Sequence, residues 1–172
     1  MDEILVEFKD ESKRLVNEMA EILEEVDGQF SHKFLLENYG QLVDRIMGGA
    51  KNMATMGLAK GPGVEKIGKY AELCKLVSYK SSQVDNEQLF TISVALLLDA
   101  TEMLQEMINQ FGTPQEVDVK SLLNATFLER LTWIATKFDE KLRASVAVNK
   151  EPSRKSQDQI DMLLRQLGVL SK

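Results

Sequence analysis

Asp44-Arg45-Ile46-Met47-Gly48-Gly49-Ala50-Lys51-Asn52-Met53-Ala54 lies inside a strongly helix-forming segment, yet it carries two adjacent glycines. Phe34, Leu35, Leu42, Val43, Ile46, Met47, Ala50 and Met53 recur at helical spacing around it. This periodicity predicts a helix over about 32–55, with Ser31 placed to cap it. Each glycine in a helix interior costs up to about 1 kcal/mol relative to alanine. A glycine pair there calls for a close approach of backbone. Either two helices of the same chain cross tightly, or a partner docks on a flattened helix surface.

The segments on either side extend the helical pattern. Ile4, Leu5, Phe8, Leu15, Met19, Ile22, Leu23 and Val26 predict a helix over 2–26, closed by Asp27-Gly28. Gly57 through Gly63, with Pro62, reads as a loop. A third helix is expected over 64–81, with Ile67, Tyr70, Ala71, Cys74 and Val77 on one face. A fourth is expected over 86–111, capped by Asp85 and ended by Gly112, with Leu89, Ile92, Leu96, Met103 and Met107 in its stripe. Short connections make these four helices antiparallel neighbours, so residues 1–112 are expected to form an up-down four-helix bundle.

After the Thr113-Pro114 turn, Leu123, Phe127, Leu131, Ile134, Phe138 and Leu142 predict one long helix over 117–147. It would be about 45 Å long. Residues 113–147 would then add a helix that packs on the bundle or dimerises through its apolar face. Residues 148–156 read as a polar linker, and 148–172 as linker plus amphipathic tail helix. The fold class is all-α, since no alternating strand run is present.

Composition narrows the function. The 172 residues are 44% hydrophobic, enough for a core, with a net charge of −6. That balance argues against a general nucleic-acid binder, which needs a concentrated basic face. Met1-Asp2-Glu3 opens straight into an amphipathic segment, and no apolar run is long enough to span a bilayer. A cytoplasmic location without membrane contact is expected. The single cysteine, Cys74, lies among apolar residues and reads as a buried hydrophobe. The single histidine, His32, precedes Asp44 by about 18 Å of helix and reads as a surface or capping residue. No metal site is expected, because a lone His and a distant Cys have no ligand spacing. No cofactor is expected either.

The stretch from Asp44 to Ala54 resembles the signature of histidine phosphotransfer (HPt) domains, of the type found as the first domain of CheA. In that family the pattern is His-Ser-Ile-Lys-Gly-Gly-Ala, and Glu7-Phe8-x-x-Glu11-Ser12 is similar to the start of its first helix. The resemblance spans about residues 3–111 and implies an HPt-like bundle. It departs from the family at two positions. Asp44 stands where the family has its phospho-accepting His, and Met47 stands where it has Lys. A carboxylate there lacks the metal cage of receiver aspartates. The resemblance therefore implies a pseudo-HPt face that docks a receiver without relaying phosphate. Asp44 marks the pseudo-phosphoacceptor position, and Arg45, Met47, Gly48, Gly49 and Lys51 the docking residues.

The second resemblance lies near the C-terminus. In Ser156-Gln157-Asp158-Gln159-Ile160-Asp161-Met162-Leu163-Leu164-Arg165-Gln166-Leu167-Gly168, the residues Ile160, Leu163, Leu164 and Leu167 form one helical stripe. Such a segment docks on its own domain or in a partner's groove. The run resembles the CheY-binding peptides of CheZ and FliM. That implies a CheY-like receiver as partner, with the stripe inserted into it and Asp158 and Asp161 setting orientation.

Two readings follow from these resemblances. The first is a chemotaxis or two-component signalling protein that binds a CheY-like receiver through both features. The alternative is a CheZ-like phosphatase of such a receiver, with Gln41 and Asp44 as its amide and acid. Gln41 belongs to Glu37-x-x-x-Gln41, and Glu106-x-x-Asn109 is similar to the core of the CheC and CheX phosphatase motif. Neither spacing is specific.

Overall fold

Four amphipathic helices close into a ring, and their apolar stripes face its centre. The computed structural model describes residues 3–57, 63–116, 118–138, 142 and 156–169. The ring consists of α1 (Glu3–Val26), α2 (Leu35–Thr55), α3 (Gly63–Ser81) and α4 (Glu87–Gln110). Packing runs α1 on α2, α2 on α3, α3 on α4 and α4 back on α1. This is the cyclic neighbour order that short connections dictate. The chain is all-helical among the described residues, as its periodicity predicts. No described helix is long and apolar enough to cross a membrane.

In α1 the buried residues Phe8, Ser12, Leu15, Val16, Met19, Leu23 and Val26 follow the expected stripe, whereas Ile4 is exposed. The start of α2 differs from expectation. Residues Phe30–His32 form a short 3-10 turn, and α2 begins at Leu35 with no side-chain cap from Ser31 or Phe34. The cap of α4 lies one residue beyond Asp85: Asn86 Oδ1 accepts from the Leu89 amide at 3.0 Å.

Buried polar groups tie the ring together. The Thr101 hydroxyl donates to the Leu97 carbonyl at 2.6 Å, so the Tyr39 phenol donates to Thr101 Oγ1 at 2.8 Å. The Tyr70 phenol donates to the Ala100 carbonyl at 2.9 Å. Lys9 Nζ reaches from α1 to the end of α4 and donates to the carbonyls of Asn109 (3.1 Å) and Phe111 (2.8 Å). A cation there satisfies carbonyls left open by the helix end and complements its dipole.

The single long helix expected over 117–147 is not formed. The chain instead makes α5 (Val119–Leu122), a break at Leu123 and Asn124, and α6 (Ala125–Lys137). Asn124 Oδ1 caps the new helix by accepting from the Phe127 amide at 2.8 Å, and Phe138 is extended. Leu123 and Phe138 are buried from these non-helical positions. The apolar spacing thus continues through a change of backbone that the spacing itself does not reveal. Asn124→Ala is expected to lower stability by about 0.5–2 kcal/mol in urea unfolding, by the loss of this cap.

Phe127, Leu131, Ile134 and Ala135 of α6 are buried, and α6 packs on α4. The apolar face offered as a dimer surface is therefore covered by the chain itself. Last comes α7 (Ser156–Gln166), seated on both α3 and α6. The linker expected over 148–156 lies, apart from Ser156, outside the described residues.

Candidate functional site

The outer face of α2 carries most of the residues singled out in the sequence. Gln41, Asp44, Arg45, Gly48 and Lys51 are exposed, while Met47 and Gly49 are half-buried. Helical spacing of three, four and seven residues puts Gln41, Asp44, Arg45 and Gly48 on one ridge.

The glycines separate by what an added methyl group would meet. A Cβ at Gly48 or Gly49 would find nothing within 4 Å. The pair is not required by any helix crossing among the described residues. Gly40, one turn before Asp44, is the glycine that packing demands: a Cβ there would lie 2.5 Å from Cε2 of the Tyr79 ring on α3. Its role was not apparent from sequence, because the ring that claims the space comes from another helix.

Both charged residues at the centre of the ridge bridge to neighbouring helices. Asp44 Oδ1 lies 2.5 Å from Lys75 Nζ of α3. Lys75 is only 16% exposed and also sits 5.8 Å from the centre of the Tyr79 ring. Burial, reinforced by the charges of Asp44 and Glu37, pushes the Tyr79 phenol up to about 12. On the other flank, Arg45 Nη2 donates to Glu11 Oε1 of α1 at 2.7 Å. The Arg45–Glu11 pair is exposed on both sides, so it is worth little to folding and can exchange for a partner's charge.

Position 44 is thus a carboxylate already held by an ammonium group. The cation comes from Lys75, on a different helix. Among the described residues no cluster of three or more His, Cys, Asp or Glu side chains could hold a metal ion. Asp44 therefore lacks the neighbours that a receiver aspartate uses.

The pairing of Gln41 with Asp44 is not realised as an acid–amide couple. Gln41 lines a shallow groove between α1 and α2, with Glu18, Glu21 and Glu25 on its far wall. Asp44 turns the other way, to α3. Glu106 accepts from its own helix neighbour Gln110, and Asn109 is exposed.

Beside Gly48 a groove of about 700 Å³ opens between α2 and α3. Ala50, Ala54, Val64 and Gly68 line it, Lys51 and Lys69 are among its charged residues, and Gln166 of α7 contributes to its wall. His32 is exposed, with its ring 6.3 Å from that of Phe34, in keeping with a surface role. Cys74 is buried, and desolvation pushes its thiol up to about 12, so it is no nucleophile at neutral pH.

The tail residues lie elsewhere than the peptide resemblance implies. Ile160, Leu163, Leu164 and Leu167 are all at most 3% exposed, because α3 and α6 present an apolar seam that accepts the stripe. Of the residues expected to meet a partner, the exposed Asp158 and the half-buried Asp161 keep solvent contact. In this structure the stripe is buried against the chain's own α3 and α6. Gly168, with φ +79°, ends the helix: the Val169 amide donates to Leu164 O (2.9 Å) and the Gly168 amide to Arg165 O (3.0 Å). This is a Schellman cap, which explains the glycine without any partner.

No protein-family model, curated protein or solved structure matches the chain.

Proposed function

We propose that this chain is a signalling module that docks a CheY-like receiver domain on the outer face of α2, in bacterial chemotaxis or a related two-component pathway, and relays no phosphate. One observation carries the reading. Gly48 and Gly49 weaken a helix in which no packing among the described residues uses them, as expected of a surface kept flat for a partner's backbone. Arg45 and Lys51 flank the pair with exposed cations, suited to the acidic rim of a receiver site. The absence of phosphotransfer follows from Asp44 at the acceptor position, with its carboxylate engaged by Lys75. In this reading the apolar stripe of the C-terminal helix, buried against α3 and α6, takes no part in docking. Phosphatase activity has less support, because Gln41 borders the α1 groove while the Asp44 carboxylate is engaged by Lys75 of α3.

Titration of purified CheY-like receivers, with and without phosphorylation, tests this. Full-length protein is expected to bind at least one receiver and leave its phosphate lifetime unchanged. The Gly48→Ala/Gly49→Ala double variant should be more stable, by up to about 2 kcal/mol from helix propensity, yet bind at least about tenfold more weakly. Binding that survives this double substitution undiminished would refute the docking face. A phosphate lifetime shortened by the protein and restored by Gln41→Ala would establish the phosphatase instead.

A further inference from the structure

We propose that α7 is a latch, opening and unwinding as a unit while the four-helix ring stays folded. Its attachment is one-sided. Ile160, Leu163, Leu164 and Leu167 enter the seam between α3 and α6, whereas Gln157, Asp158, Met162, Arg165 and Gln166 are exposed. The seated face is also imperfectly satisfied: the side-chain oxygen of Gln159 is buried with no hydrogen-bond partner among the described residues. An eleven-residue helix is not stable alone in water, so losing the seam and losing the helix are one event.

The ring does not depend on α7 in the same way. α1 to α4 bury their stripes mainly against one another, with the Tyr39–Thr101 and Tyr70–Ala100 hydrogen bonds inside. Opening therefore divides the molecule along a surface that no ring helix needs in order to keep its own partners. It also acts at a distance from the seam. Gln166 contributes to the wall of the α2–α3 groove beside Gly48, so opening the latch removes part of that wall and widens the groove. Such segments belong to the low-stability end of a protein's opening spectrum.

Native-state hydrogen exchange on the full chain, resolved by segment, tests the latch. Amides of 161–167 are expected to exchange at least roughly 100-fold faster than those of 94–104 in α4, with little dependence on low denaturant. Leu164→Asp should speed exchange in α7 by a further factor of about ten or more, and leave protection in α4 intact. The latch is overturned if α7 shares the protection and denaturant slope of α4. It is equally overturned if Leu164→Asp strips protection from α4 as well, since α7 would then be an inseparable part of the core.

Discussion

Gly40→Ala is expected to destabilise the protein by about 1–3 kcal/mol, the usual cost of overfilling a packed site. That lowers the melting temperature by roughly 2–12 °C for a chain of this size. The reason is geometric. The new methyl carbon would lie 2.5 to 3.0 Å from three atoms of the Tyr79 ring, which is itself buried between α2 and α3. Helix propensity alone argues the other way and favours alanine. The clash exceeds it because the obstacle is a rigid ring with nowhere open to move. Urea unfolding of Gly40→Ala, Tyr79→Leu and the double variant checks this. The double variant should be more stable than the sum of the single effects by at least about 0.5 kcal/mol. Strict additivity would mean that the ring is not the obstacle.

Leu131→Ala is expected to cost about 2–5 kcal/mol, the range for deleting a fully buried leucine side chain. Leu131 and Ile134 are both 0% exposed in α6, packed inside the chain. The loss should be the same at every protein concentration. A dimer held by this face would behave differently: its melting temperature would rise with concentration, and Leu131→Ala would abolish that rise. Thermal unfolding across a hundredfold range of concentration separates the two.

Much of the helix map was legible from spacing alone. The spans of α1 and α4 were legible because each is a long, uninterrupted helical run, but their stripes were read only in part. Leu89, Leu96 and Met107 are buried in α4 as expected, whereas Ile92 and Met103 are half-buried and Phe90, Val94, Leu97 and Leu104 carry the core instead. The stretch from Leu123 to Phe138 misled for a specific reason. Burial every three or four residues persists whether or not the backbone stays helical, and only Asn124, a capping residue, hinted at the break. The exposed ridge of α2 was also readable, since its polar and glycine positions share one helical face. Lys75 and Tyr79 were not. Neither stands near Asp44 in sequence, and one turn of α3 against α2 brings both to it.

The order of the amino acids by itself determined that this chain is helical, roughly where its main helices run, and that the α2 ridge carries a carboxylate and a glycine pair. These are properties of residue type and local spacing. The tertiary structure alone decided which glycine of α2 is obligatory and which are free, because that depends on atoms from another helix. It also decided that the last amphipathic helix turns inward. An apolar stripe states only that it must be covered, and the seam between α3 and α6 exists only once those helices have packed.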